Sequence, residues 1–84
     1  GFVLRFYRNG GWQEVDGNGV EIPGPVLYDL LPGAILTYVA QEYPDASIVE
    51  ISQHSYGYEV NLETQPEVKL KFNRDGGIIT EIVD

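Results

Sequence analysis

The 84 residues include no cysteine, which excludes a disulfide, a thiolate metal site and a cysteine nucleophile. That absence is neutral about compartment, because exported proteins also lack cysteine. Basic residues are scarce, five against thirteen acids, for a formal net charge of −8. A field of that sign repels nucleic acid and anionic membrane surfaces, so neither is expected as a partner. No apolar run approaches the roughly 20 residues of a membrane-spanning helix, so no membrane insertion is expected. No signal peptide lies within these residues. Gly1, directly ahead of a strand, reads as the scar of tag removal, so a leader would have gone with the tag. At this length the chain is one domain, near the size where a single core stabilises only marginally.

What is present is one segment with a helical period, residues 31–44 (LPGAILTYVAQEYP). Pro32 suits a first helical position, where its missing N–H has no intrahelical partner anyway. Pro44 ends the helix by pushing Tyr43 out of the α region. About 12 residues remain, or roughly 18 Å. At roughly 100° per residue, Leu31, Ala34, Ile35 and Tyr38 share one face, and Leu36, Val39 and Tyr43 widen it. Only Gly33, Thr37, Ala40 and Gln41 form the far side. Such a helix is either fully buried in this small domain or has a second flank against another repeat or chain.

Every other apolar run is strand-length. Residues 2–8 alternate, with Leu4 and Phe6 on one face and Arg5 on the other. Asn9-Gly10-Gly11 is a hairpin turn, and residues 12–15 return. Residues 17–25 are turn-rich and read as a linker, and residues 26–30 read as a helical turn leading into the main helix. Residues 46–53 form a strand in which Ile48, Val49 and Ile51 share no parity, which a bulge would reconcile. After a turn at 54–57, pairing Tyr58 with Phe72, Val60 with Leu70 and Leu62 with Val68 stacks one apolar face. The same register sets Glu59 opposite Lys71. Arg74-Asp75-Gly76 is the last turn, and placing Phe72 opposite Ile78 puts Val68 opposite Ile82 and Lys69 opposite Glu81. The expected fold class is α+β: one main helix on an antiparallel meander of four strands, plus an N-terminal hairpin.

That hairpin has a counterpart. Shifting the chain by 66 residues lays 4–12 over 70–78 with five of nine positions identical: Leu4/Leu70, Phe6/Phe72, Arg8/Arg74, Gly10/Gly76 and Gly11/Gly77. Four of the five basic residues, Arg5, Arg8, Lys71 and Arg74, fall in these two segments, and Lys69 directly precedes the second. The expected organisation is therefore 1–16 as the last hairpin of a partial upstream repeat, 17–25 as linker and 26–84 as one complete unit. Leu4, Phe6 and Trp12 would then need cover from the helix flank, from sheet continuation or from a second chain, which makes them candidate self-association residues.

The succession LPGAILTYVAQEYP, ASIVEI, YGYEVNLE and VKLKFNRDGG resembles the PepSY-like, putative beta-lactamase-inhibitor-like domains, small exported proteins of Bacteroides-type bacteria. The resemblance covers residues 26–84 in full and 2–16 as a partial repeat. It rests on Leu31-Pro32 with Ala34-Ile35, Tyr43-Pro44, Gly57-Tyr58-Glu59-Val60, and Phe72 before Asp75-Gly76. It implies a helix on an antiparallel sheet, often in tandem, and a periplasmic or secreted address. It implies no chemistry, since the inhibitor likeness is one of fold. Inhibitory contacts in that family lie on a concave sheet face and match nothing here residue by residue.

Catalysis finds no convergent partners. His54, the one histidine, sits in a turn, and neither Ser52 nor Ser55 occupies a nucleophile elbow. Asp16-Gly17-Asn18-Gly19 lacks the ligand spacing and twelfth-position glutamate of a calcium loop and reads as turn chemistry. Neither glycine pair precedes a lysine and a helix, so neither cradles phosphate. No catalytic residue, cofactor or metal is expected. The outward sheet face, with Tyr7, Tyr56, Glu59, Asn61, Lys69, Lys71 and Ile79, is the candidate protein-binding surface. The expected function is a non-enzymatic exported binding domain, inhibitor-like in fold, with an unidentified protein partner. The alternative is a structural or self-assembly module, a homodimer or strand-swapped dimer, pairing through its sheet edge and N-terminal hairpin.

Overall fold

The structure, a computed structural model, describes residues 2–84; Gly1, read as a tag scar, lies outside them. Six strands form a single antiparallel sheet in chain order. They are β1 (Val3–Phe6), β2 (Trp12–Asp16), β3 (Ser47–His54), β4 (Gly57–Glu63), β5 (Val68–Asn73) and β6 (Ile78–Val83). Two helices, α1 (Gly24–Leu30) and α2 (Gly33–Glu42), are inserted between β2 and β3. The α+β architecture expected from the sequence is present, and the N-terminal hairpin continues the sheet through β2–β3 pairing, with Val15 opposite Ile51.

The helical stretch is divided. Leu31, forced by Pro32 out of the α region, is extended at φ −111°, ψ 146°, and caps α1. Pro32 then stands as the N-cap of α2 rather than inside it. Ile35 and Val39 are buried on the sheet, while Ala34, Thr37, Ala40 and Gln41 are exposed. The helix is therefore half-covered, not fully buried. Tyr38 meets Phe72 edge-on at 5.5 Å, within a core that includes Val15, Ile22, Leu27, Ile51, Val60, Leu62 and Leu70. Between β2 and α1, Gly17 donates to the Val49 carbonyl and Ile22 to that of Ile48, so the turn-rich stretch is tied to β3.

The β4–β5 register is the one both faces dictate, Tyr58 opposite Phe72 and Glu59 opposite Lys71. The expected irregularity in β3 lies between Ile48 and Glu50. The β5–β6 register needs correction. Phe72 does face Ile78, but a bulge follows, so Lys71 meets Thr80, Lys69 meets Ile82 and Val68 meets Val83. The extra residue carries Glu81 to the helix side, opposite Leu70. There its charge, after burial and together with Glu42, raises the Tyr38 hydroxyl pKa above the ordinary value.

The two matching hairpins share geometry as well as sequence. Tyr7 donates to Gly11 at 2.8 Å and Gly10 to Tyr7 at 3.0 Å; Asn73 donates to Gly77 at 2.8 Å and Gly76 to Asn73 at 3.0 Å. Gly10 and Gly76 have φ of 92° and 93°, a left-handed conformation that favours glycine. Both ladders break at the same aligned step, Arg5/Phe6 and Lys71/Phe72.

Candidate functional site

Antiparallel pairing assembles two rows across the outer face of the sheet. One runs Arg5, Glu14, Ser52, Glu59, Lys71, Thr80, and the other Val3, Asp16, Glu50, Asn61, Lys69, Ile82. Acids therefore collect on β2 and β3, and lysines on β5. Glu59 sits between them, with Lys69 Nζ at 3.2 Å and His54 Nε2 at 3.5 Å. The Glu59 carboxylate raises the Lys69 pKa above its ordinary value. His54 stacks on Tyr56 at 5.1 Å and 2°, and Lys71 Nζ lies 5.9 Å over the same tyrosine ring.

At the turn end of this face an open cleft of about 670 Å³ runs between Tyr7, Asn9, Gln53, His54, Tyr56 and Arg74. Its walls are fixed. The Tyr7 hydroxyl donates to the Gln53 carbonyl, and Arg74 Nε donates to the Ser55 carbonyl at 3.1 Å. Burial, then the charge of Glu59, raises the Tyr56 pKa. Tyr56 therefore stays a neutral hydrogen-bonding group at physiological pH.

Beside the cleft, carboxylate oxygens of Glu14, Asp16 and Glu50 lie within 4.8 Å of one another. Burial and then the neighbouring Glu14 carboxylate push the Glu50 pKa up to about 7. Asn61 Nδ2 donates to Glu50 Oε1 at 3.2 Å, while Asn61 Oδ1 is buried with no hydrogen-bond partner. Asp16 Oδ1 accepts from the Asn18 N–H at 2.8 Å, the turn chemistry expected of that loop.

The opposite, helix-bearing face carries a second recess, of about 300 Å³, lined by Phe2, Leu4, Phe6, Trp12, Val26 and Leu30. Trp12 is covered by sheet continuation, stacked on Tyr58 at 6.1 Å. Leu4 and Phe6 are 58% and 61% exposed.

Against known families, residues 1–80 match the model described as "Putative beta-lactamase-inhibitor-like, PepSY-like". The chain belongs to the PepSY-like family. Solved structures share its fold. One is a "putative periplasmic protein of unknown function" from Bacteroides vulgatus, 28% identical with a TM-score of 0.82. Another is a "putative calcium-regulated periplasmic protein" from Bacteroides thetaiotaomicron, 32% identical with a TM-score of 0.82. A third is a further "putative periplasmic protein" of B. vulgatus, 33% identical with a TM-score of 0.81. In each case 98% of this chain is matched but only 60% of the other. No curated protein sequence matches. No helix among the described residues is long and apolar enough to cross a membrane.

In this PepSY-like domain the residues expected to bind a partner separate. Tyr7 and Tyr56 line one cleft, and Glu59, Lys69 and Lys71 are joined to Tyr56 through His54 and the cation–ring contact. Ile79 is not with them. It is the extra residue of the β5–β6 bulge on the far edge strand, 53% exposed. His54 closes β3 rather than standing free in a turn, and its Nε2 is 2.8 Å from Ser52 Oγ. A serine–histidine–acid relay needs serine and acid on opposite ring nitrogens; here Ser52 and Glu59 both approach Nε2. The acidic trio escaped sequence reasoning. Glu14 and Asp16 two apart on a strand were its available signal, but Glu50 joins them only through a register the blurred β3 pattern concealed.

Proposed function

We propose that this PepSY-like domain is a non-catalytic binding domain of the periplasm that holds a protein partner against the turn end of its outer sheet face. The observation that carries this is the pinned pair Tyr7 and Tyr56 lining one open cleft, with Lys71 and the His54 ring fixing Tyr56. Rigid tyrosines flanked by charge form contacts at low entropic cost. An open cleft suits a protein surface better than an enclosed small molecule. The family's inhibitor-like character and the periplasmic neighbours support the same reading. The test is capture from periplasmic extract, comparing the parent with Tyr7→Ala and Tyr56→Ala at matched melting temperature. Capture of one species, lost in both variants, is expected; capture that survives both substitutions sinks the assignment.

A second reading is favoured by the acidic trio: the partner face responds to a divalent cation. The donors fit Ca²⁺, being hard oxygens from Glu14, Asp16 and Glu50, with the orphaned Asn61 Oδ1 adjacent to Glu50. One structural neighbour is named as calcium-regulated. A bound cation would neutralise the repulsion among the three carboxylates and displace the proton that Glu50 holds near neutrality. Calorimetry with CaCl₂ should therefore show proton release, and affinity should fall from pH 8 to pH 5.5. Heats indistinguishable between the parent and Asp16→Asn would dismiss it.

A further inference from the structure

With thirteen acids to five bases, every base has carboxylates to spare. Two of the five are paired, Arg5 with Glu14 and Lys69 with Glu59. Arg8, Lys71 and Arg74 meet no carboxylate at ion-pair distance among the described residues. All three lie toward the turn end of the sheet. Arg74 lines the cleft between Tyr7 and Tyr56, Lys71 Nζ stands over the Tyr56 ring, and Arg8 lies in the turn between Tyr7 and Asn9. Among the described residues no acid lines the cleft. Asp75, next to Arg74 in its turn, stays outside it, and Glu59 is already held by Lys69. An otherwise anionic molecule thus keeps one acid-free, cationic recess.

The hydrogen bonds of the cleft narrow what it can take. Its acceptors are consumed internally. The Gln53 carbonyl accepts from the Tyr7 hydroxyl, the Ser55 carbonyl from Arg74 Nε, and Asn9 Oδ1 from the Gly11 N–H. The groups left without a partner among the described residues can all donate: the Arg74 Nη pair, Asn9 Nδ2, and the hydroxyls of Ser55 and Tyr56. Anchored through Nε, the Arg74 guanidinium offers its outer edge, a planar fork that matches a carboxylate. One lining guanidinium balances the single charge of such a group.

We infer that the cleft takes a carboxylate from its partner, carried on a short acidic segment and seated between the two tyrosines against Arg74. This rests on the binding role proposed above and names its ligand chemistry. The carboxylate comes from an acidic side chain or from the end of a chain. The net charge of −8 opposes an acidic partner at long range. At physiological salt, however, the screening length is about 8 Å, so distant acids count for little beside a contact at Arg74.

The test titrates the ¹⁵N-labelled protein with defined peptides at about 0.15 M NaCl, following backbone amides by NMR. The first is an acetylated and amidated Gly-Glu-Tyr-Glu-Gly. The second is its glutamine counterpart, capped in the same way, and the third is that counterpart with a free C-terminal carboxylate. The amides of Ser55, Tyr56 and Arg74 should shift with a Kd of about 1 mM or below for the first or third peptide. The capped glutamine peptide should bind about tenfold more weakly. Binding by the first assigns an acidic side chain, and by the third a chain end. Arg74→Ala should abolish the preference for a carboxylate, and Arg74→Lys, with charge but no fork, should restore part of it. Arg74 is exposed, so the spectrum away from the cleft should stay that of the parent. Equal affinity for the carboxylate and capped glutamine peptides overturns the inference. So does a preference that survives Arg74→Ala, or the lack of any shift at these amides with about 5 mM peptide, where a millimolar site would be mostly filled. None of these results removes the binding role itself, which falls only if capture survives Tyr7→Ala and Tyr56→Ala.

Discussion

The β1–β2 and β5–β6 hairpins share a turn, a bulge position and five identical residues, yet β5 is core where its match β1 is surface. The difference lies outside both: α2 covers Leu70 and Phe72 of β5, and nothing among the described residues covers Leu4 and Phe6 of β1. Hairpin geometry is set locally, by the left-handed glycine and the ladder around it, and needs no tertiary contact. Burial is set by what comes to rest on the hairpin. The energetic weight of equivalent residues should therefore diverge where their conformations do not.

The largest expected divergence is at the aromatic pair. Phe72→Ala empties a fully buried site under α2 and should cost about 3–5 kcal/mol. Phe6→Ala, at 61% exposure, should stay within about 0.5 kcal/mol. Urea unfolding of the two variants measures both. Similar costs would mean that the first hairpin is already covered in solution. The glycines give the next contrast. Alanine at Gly10 meets only the left-handed backbone, at about 1–2 kcal/mol. Gly76→Ala adds a clash with Ala34 and should exceed the Gly10→Ala cost by about 1 kcal/mol or more.

How far the sequence could be read follows the same division. Period and parity determined what local chemistry controls: the β4–β5 register, the bulge in β3, the helix limits near two prolines and the turns at Gly10 and Gly76. The β5–β6 register was misread because Phe72–Ile78 was extended without its bulge, and nothing in the run IITEIV marks which residue is extra. Helix cover was overestimated because Ala34, Thr37 and Ala40 are small enough to sit in water or in a core. Of the site, Tyr7 and Tyr56 were legible as aromatics among polar neighbours. Glu50 was not, because its companions on β2 precede both helices and reach it only by a β2–β3 pairing across the insertion.

The inner strands of the two hairpins also differ on the outer face, where β2 offers acids and β5 lysines, and the acidic side should be pH-sensitive. The folded-state pKa of Glu50 is raised from 4.5 to about 7, so the folded protein binds this proton more tightly than the unfolded chain does. That contribution is fully present below about pH 4.5 and is lost as pH rises through about 7. Glu50→Gln should therefore flatten this part of the stability profile. Above pH 7 it should stabilise the domain, on the order of 1–2 kcal/mol once partial solvent access is allowed for. A variant as pH-dependent as the parent over pH 4.5–7.5 would place the proton elsewhere.

The smallest effect separates the two outer-face ion pairs. Arg5 Nε lies 3.6 Å from Glu14 with its side chain 63% exposed, a separation and exposure at which water screens most of the attraction. Lys69 lies 3.2 Å from a Glu59 carboxylate that is only 18% exposed and also faces His54. Removing Lys69 leaves that carboxylate with fewer compensating donors on a face already rich in acids. Lys69→Ala should cost about 0.5–1 kcal/mol and Arg5→Ala about 0.2 kcal/mol or less. Because both effects are Coulombic, the gap should narrow between 0.05 and 0.5 M NaCl, as the screening length drops from roughly 14 Å to 4 Å. A gap that survives salt would mean that Lys69 acts through packing of its aliphatic stem beside Ile82 rather than through its charge.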